Sequence, residues 1–292
     1  MKTIEISQPK SAAASFLGVL LASRKQVTAV DALPEVTLVR PQVVLDAAHI
    51  ARYTKVCGFH AAQGVPISYP QMLTFPLLME FFASGDCPWP AMGTVHLANR
   101  IVQHQRLNAG DSLRVEVQTG RLLAHEKGQI FELELRILRA DELVWEATQT
   151  LLRLGVKTPA GPAYASSLTQ ELALSHQADF QAPANIGRRY GRVSGDMNPI
   201  HLSSLSARLF GFRRAIAHGL WTQARALAAL LPRQALAQAE LTVEFKTPLF
   251  LPARASLWST REIKGSLQQT ALFEVRNAKG DKPHLRGLLS CQ

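Results

Sequence analysis

Two segments of this chain match each other, and the match limits the fold more than any other feature. RYTKVCGF (52–59) lies over RYGRVSGD (189–196) at an offset of 137. FPLLM (75–79) lies over HGLWT (218–222) at 143, and VHLANRIVQHQRLNAGDSL (95–113) lies over AELTVEFKTPLFLPARASL (239–257) at 144. Three matches in order, with nearly constant offsets, indicate a duplicated unit. The rise in offset places about six extra residues in the second copy, between the tyrosine motif and the helix that follows. A chain of 292 residues suits two domains of this size.

Each copy carries one long apolar segment followed by strand-like segments. YPQMLTFPLLMEFFAS (69–84) predicts a buried helix, with Pro70 near its start and Pro76 as a kink or a cost inside it. HGLWTQARALAALL (218–231) is its counterpart. VTLVRPQVVLD (36–46) reads as a strand in which Pro41 excludes a central ladder position, and Asp46 caps a short helix over 47–57. Strands are expected at 94–107, 112–126 and 129–154, with NAGD, EKGQ and RADE as turns, and again at 239–250, 253–263, 266–280 and 284–290. In FELELRIL, Phe131, Leu133, Leu135 and Ile137 share one face, and Glu132, Glu134 and Arg136 share the other. That alternation marks an antiparallel strand with one wet side. The cheapest burial for such a unit is a curved sheet wrapped around the helix, an α+β architecture. The turn-rich KTPAGPAYASS (157–167) sets the boundary, giving domains 1–158 and 159–292.

The copies differ where chemistry would sit. Asp196 of the second faces Phe59 of the first, and His201 faces Gly64. An acid and a base present in one copy and missing in the other fit a duplicated catalytic domain with one dead copy. The bland alternatives are a turn carboxylate before Asn-Pro and a surface histidine starting a helix. Asn198, before Pro199, closes the loop between them. Gly219 opens the second apolar helix, where first-turn amides point outward unpaired and the dipole favours negative charge. His218 reads as structural, Ser203 as an N-cap or polar loop residue, and Tyr190 as a packing residue.

The runs YGRVSGDMNPIHLS (190–203) and FGFRRAIAHGLWT (210–222) resemble the MaoC-like dehydratases, the (R)-specific enoyl-CoA hydratases of the hydratase 2 type. The resemblance is close over 185–230 and looser in the first half, at FPLLM and PAMGTVHLANR. It implies a double hot-dog fold, with catalysis in 159–292 and a degenerate 1–158 that makes room for the acyl chain. It also implies reversible syn hydration of trans-2-enoyl thioesters to (R)-3-hydroxyacyl thioesters in fatty acid metabolism. Asp196 and His201 would be the catalytic pair, Asn198 would support the site, and the Gly219 amide would hold the thioester oxygen. The chemistry needs an activated water, a proton for the α carbon and a stabilised oxyanion, and no metal or redox cofactor. A hot-dog thioester hydrolase and a non-catalytic acyl-thioester-binding subunit are the rival readings, and the intact GDMNPIH argues against both.

A formal net charge of +10 favours an anionic partner. Arg188, Arg189, Arg213 and Arg214 are candidate contacts for coenzyme A phosphates or an acidic acyl carrier protein, the expected substrate carriers. No basic-aromatic interleaving supports nucleic acid, the histidines other than His201 and His218 lack metal spacing, and GxGxxG and P-loop motifs are missing. Cys57, Cys87 and Cys291 are too few and scattered for a disulfide framework, which points to the cytoplasm. ASFLGVLLAS (14–23) is too short to span a membrane and is expected as a buried helix. A double unit already mimics a dimer of single ones, so monomer and homodimer both fit.

Overall fold

The computed structural model describes residues 2–22, 25–169, 173–260 and 269–291. Along the chain the elements are β1 (Lys2–Glu5), α1 (Ala12–Leu21), β2 (Val36–Val44), α2 (Ala47–Cys57), α3 (Gln71–Ala83), β3 (Thr94–Gln103), β4 (Ser112–His125), β5 (Gly128–Arg139) and β6 (Glu142–Leu154). There follow β7 (Ser175–Ala182), α4 (Ile186–Ser194), α5 (Pro199–Leu202), α6 (Ser204–Arg208), α7 (Gly219–Leu230), β8 (Ala239–Phe245), β9 (Ala253–Ser259), β10 (Gln269–Asn277) and β11 (Pro283–Cys291). They divide into two compact units. One comprises Met1–Val44, Pro70–Arg100 and Asp111–Ser167; the other comprises Leu45–Tyr69, Ile101–Gly110 and Leu168–Gln292. The second unit therefore draws two segments from the first half of the sequence, and the units do not coincide with 1–158 and 159–292.

In the first unit the strand order is β1-β2-β4-β5-β6-β3. The β2–β4, β4–β5 and β5–β6 pairs are antiparallel, while the short β1 runs parallel to β2. Pro41 sits where the β2–β4 register shifts, between Arg40 and Val43, so its missing N–H breaks no regular rung. The β5–β6 hairpin turns through Ala140 and Asp141, both left-handed at φ 49° and 64°, the handedness that two-residue hairpins favour. Phe131, Leu133, Leu135 and Ile137 are buried as the alternation predicts. Glu132, expected on the wet face, is buried too, and Arg121 offsets this with two hydrogen bonds of 2.7 and 2.9 Å.

Helix α3 packs against β2 and β4 and contributes Leu77 and Phe81 to the core. It carries Pro76 in its interior without being interrupted. It begins at Gln71, more than a turn ahead of the position matched to Gly219. Helix α1 corrects one expectation. It packs on α3, with Gly18 allowing close approach to Ala83, and it buries Val19. Leu17, Leu20 and Leu21 nevertheless remain exposed, because a helix apolar on every side has only one face turned to its neighbour. Among the described residues no helix is long and apolar enough to cross a membrane.

The second unit has strand order β8-β11-β10-β9-β7, with every neighbouring pair antiparallel. The predicted strand residues 261–263 and 266–268 lie outside the described residues. Helix α7 packs on β11 and buries Trp221, Leu227 and Leu230. Helices α2 and α4 carry the two copies of the tyrosine motif, and both lie in this unit against each other. Tyr53 and Tyr190, matched in the repeat, are fully buried with ring centroids 6.2 Å apart. Each helix ends on a left-handed glycine, Gly58 at φ 79° and Gly195 at φ 82°. Asp46 caps α2 by accepting from Ala48 N at 2.8 Å, as its sequence predicts.

Lys25 ties down the C-terminal end of α3, donating to the carbonyls of Phe82, Ser84 and Cys87 at 3.2, 2.6 and 2.8 Å. Replacing Lys25 by Met leaves these acceptors without their charged donor. The expected loss is about 1–3 kcal/mol, read as a lower urea midpoint with an unchanged slope.

Candidate active site

The motif DMNPIH is held by four local devices. Gly195 turns the chain out of α4 through a left-handed conformation. Asp196 Oδ1 then accepts from Asn198 N at 3.1 Å, an Asx turn. Asn198 Oδ1 accepts from Ile200 N at 3.3 Å and caps α5, with Pro199 at the first helical position. Ser203 accepts from Ser206 N at 3.0 Å and caps α6. Asn198 and Ser203 thus take the loop-closing and capping places expected of them.

The loop lies directly on α4. A Cβ on Gly187 would stand 1.8 Å from the His201 carbonyl oxygen, and one on Gly191 would stand 2.7 Å from the Asp196 carbonyl oxygen. These glycines, four residues apart, share a face of α4 and admit the loop backbone. Arg188 Nη1 donates to Leu202 O at 2.8 Å and pins the far end of α5. The C-terminal carbonyl of Val193 accepts from His49 Nε2 at 2.9 Å, and His49 Nδ1 accepts from the Tyr69 hydroxyl at 2.8 Å. Helix α2 therefore braces the helix that carries the motif.

His201 is buried, with Nδ1 2.8 Å from Ile216 O. A carbonyl can only accept, so Nδ1 carries the proton and Nε2 is left with its lone pair. Burial pushes the His201 pKa below its usual value, against the raising effects of the Asp196 charge and the Ile216 bond. His218 stacks on His201, with centroids 3.7 Å apart and ring planes 27° apart. Its Nε2 donates to the Asp196 carbonyl at 3.1 Å and lies 3.6 Å from Oδ2. Burial, with the neighbouring His201, pushes the His218 pKa down to about 3, so the imidazole is neutral and the carboxylate contact is dipolar rather than an ion pair. Asp196 remains partly exposed, with 32% of its side chain open to solvent.

Ligand-type atoms of Asp196, His201 and His218 all lie within 4.8 Å of one another. Each imidazole already spends one nitrogen on a backbone carbonyl. The rings lie nearly face to face. The cluster also has the dimensions for one water. Hydrogen-bonded to two groups at ~2.8 Å and a tetrahedral angle, it spans about 4.6 Å.

Gly219 is the first residue of α7, and its N-cap residue His218 makes no side-chain capping bond. The helix therefore offers no competing side-chain acceptor to its own first-turn amides. A Cβ at Gly219 would meet the Phe245 ring at 2.9 Å, so the glycine also serves packing. The strand-like segment before it fixes its place: Ala217 N donates to Leu249 O and Ile216 N to Ile200 O, at 2.9 and 3.0 Å. Arg213 and Arg214 lie together over the Phe250 ring, with guanidinium carbons 4.5 and 5.9 Å from its centroid. Arg188 and Arg189 project from α4. In the first copy's equivalents, Phe59 is buried in contact with the Tyr53 ring, and Gly64 is left-handed at φ 68°.

Residues 167–281 match the model of the MaoC-like domain. The chain is 33% identical over 256 residues to 3-hydroxyacyl-thioester dehydratase X of Mycobacterium tuberculosis, covering 87% of this chain and 89% of that one. The chain belongs to the MaoC-like dehydratases. The crystal structure of that mycobacterial protein, HtdX, superposes with a TM-score of 0.71 at 30% identity, covering 88% of this MaoC-like chain and all of HtdX (100%). A MaoC-like dehydratase from Phytophthora capsici gives 0.74 at 17% identity, covering 91% of this chain and 98% of that one. A second Mycobacterium tuberculosis protein, described as a double hot dog, gives 0.54 at 14%, covering 94% and 99%. The MaoC-like chain accordingly has the double hot-dog fold.

Gly187, Gly191 and the His49–Tyr69 brace were missed by the sequence reading. GRRYG, with glycines one helical turn apart beside the motif, was the available signal for the first two. Replacing Gly187 by Ala forces the His201 carbonyl away from α4. An ångström-scale displacement of the imidazole is expected to lower activity ~100-fold or more, while circular dichroism still reports a folded protein. His218 contributes stability that is fully present above pH 6.5 and is lost as pH falls toward about 3, because the unfolded side chain takes up a proton that the buried one refuses. Thermal melts across that range should show this slope, and His218→Phe should reduce it.

Proposed function

We propose that the chain catalyses reversible hydration of trans-2-enoyl thioesters, and dehydration of (R)-3-hydroxyacyl thioesters, with Asp196 and His201 acting on one water. The name of the mycobacterial relative, a 3-hydroxyacyl-thioester dehydratase, supports the reaction class. The observation that carries the residue assignment is the His201 Nδ1–Ile216 O bond. It leaves Nε2 as an acceptor on a ring that has a nitrogen within 4.8 Å of an Asp196 carboxylate oxygen.

In hydration, the water donates one hydrogen bond to His201 Nε2 and the other to the Asp196 carboxylate. Nε2 takes a proton as the water oxygen attacks C3. The electron pair of the double bond moves toward C2 and the thioester oxygen. That oxygen accepts from the Gly219 N–H, helped by the positive end of the α7 dipole. The protonated imidazole then returns its proton to C2 from the same face, which gives syn addition. Dehydration reverses these steps. Asn198 keeps the acid and base apart by capping α5.

Arg213 and Arg214 are assigned to the phosphate of the pantetheine arm, with Arg188 and Arg189 as further anion contacts. The division of labour between a catalytic 159–292 and a 1–158 that accommodates the acyl chain belongs to the same proposal. Phe59 and Gly64, standing where the acid and base would be, support it. Three buried thiols, Cys57, Cys87 and Cys291, support a cytoplasmic location.

Loss of absorbance from crotonyl-CoA tests the reaction directly. Asp196→Asn and His201→Ala should each reduce kcat/KM ~1000-fold or more with the fold intact, and full activity in both variants would sink the assignment. Because His201 must be unprotonated to hydrate and burial lowers its pKa, the acid limb of the kcat/KM profile should lie below 6.5. Activity should therefore begin to fall at a lower pH than an ordinary histidine would set.

A further inference from the structure

The dyad acts at the acyl end of the substrate and is indifferent to what carries the thioester. The surface beside it is not. Residues 180–239 hold eight arginines, no lysine and a single acid, Asp196, which belongs to the site. Arg188, Arg192, Arg208, Arg213 and Arg214 are all exposed. Helix α6 and its C-cap residue present Leu205, Arg208 and Leu209 at i, i+3 and i+4, hence on one face. Leu205 and Leu209 are 75% and 81% exposed, the most open large apolar side chains among the described residues.

This face is joined to both the arginine pair and the dyad. Arg208 Nε donates to Arg213 O at 3.4 Å, linking α6 to the turn that carries Arg213 and Arg214. Ser206 Oγ donates to Pro199 O at 2.7 Å, linking α6 to the helix that carries His201. The result is a small apolar centre with a basic rim, the anatomy of a protein–protein contact.

We infer that the Leu205–Arg208–Leu209 face docks an acidic carrier protein bearing the acyl thioester. The leucines meet an apolar strip on a partner helix, and the arginines meet its carboxylates. This rests on the hydratase reading and deepens it by naming the carrier. A pantetheine phosphate, common to coenzyme A and a carrier protein, suits Arg213 and Arg214; beyond it coenzyme A can offer the leucines only its adenine ring, whereas a carrier helix offers an apolar strip for both leucines and carboxylates for Arg208 and its neighbours. A membrane surface fits less well, because interfacial helices bury a long apolar face and α6 has five residues, two of them serines. A contact this small is transient and salt-sensitive, with the arginines acting on encounter rate.

The test compares trans-2-octenoyl thioesters of a purified acyl carrier protein and of coenzyme A, with wild type, Leu205→Ser/Leu209→Ser and Arg208→Glu. Both variants should lower kcat/KM for the protein-borne substrate ~10-fold or more, while the coenzyme A substrate changes less than ~2-fold. Raising salt from low to high should weaken the protein-borne reaction more steeply than the coenzyme A reaction, which shares only the phosphate contacts. Equal effects on both carriers, or on neither, overturn the docking surface. So does loss of binding to phosphatidylglycerol vesicles with carrier kinetics unchanged, which reassigns the face to a membrane. If wild type turns over neither thioester, the hydratase reading has failed. Fluorescence anisotropy with labelled holo carrier protein then decides the surface alone: binding that the double leucine variant loses supports it, and equal or undetectable binding by the two proteins overturns it.

Discussion

The site depends on the contact of a peptide backbone with two missing side chains. At Gly187 and Gly191 the DMNPIH loop rests on α4 closer than any Cβ would permit. Everything else follows from that approach. The loop can then close its Asx turn, start α5 on Pro199, and bring His201 under the carbonyl of Ile216. The hydrogen bond to Ile216 selects the tautomer, and the stack of His218 on His201 leaves the ring little freedom to turn. His218 also holds the Asp196 backbone, so one buried imidazole touches both Asp196 and His201. Burial keeps that imidazole neutral, so it adds no positive charge beside His201.

Much of this was legible as pattern. The alternation of FELELRIL named four core residues, and Asp46 marked the start of α2. Comparison of the two tyrosine motifs singled out Asp196 and His201, and those motifs lie side by side with their tyrosines nearly in contact. What was not legible lacked a periodic signal. β1 is four residues long, and β7, SHQADFQA, is an edge strand with only two buried positions. Helix α4 was unread because its sequence, IGRRYGRVS, holds two glycines that local propensity counts against a helix. Those glycines are there for the loop, so the site's requirement masked the element that supports it. The exposed leucines of α1 fail in the opposite direction, since apolar content does not say which side finds a neighbour.

Charge is distributed with similar economy. Arg188, a candidate for substrate phosphate, spends one nitrogen on the end of α5, and Arg225 donates to Cys57 O at 3.0 Å, beside the left-handed glycine that ends α2. The arginines on this surface therefore serve the fold and the field at once. A guanidinium can do both, because it has five donors and keeps its charge at any relevant pH.

The bracing of α4 by α2 has an evolutionary reading. After a duplication, a copy that stops catalysing is free to drift unless something else holds its sequence. Here the first copy's tyrosine motif packs against the second's. His49 and Tyr69 secure a carbonyl at the end of α4, and Trp221 Nε1 donates to Val56 O at 3.2 Å in return. The two tyrosine motifs have become each other's scaffolding. A change in one motif helix therefore meets its counterpart directly, which ties the history of the two copies together at this seam.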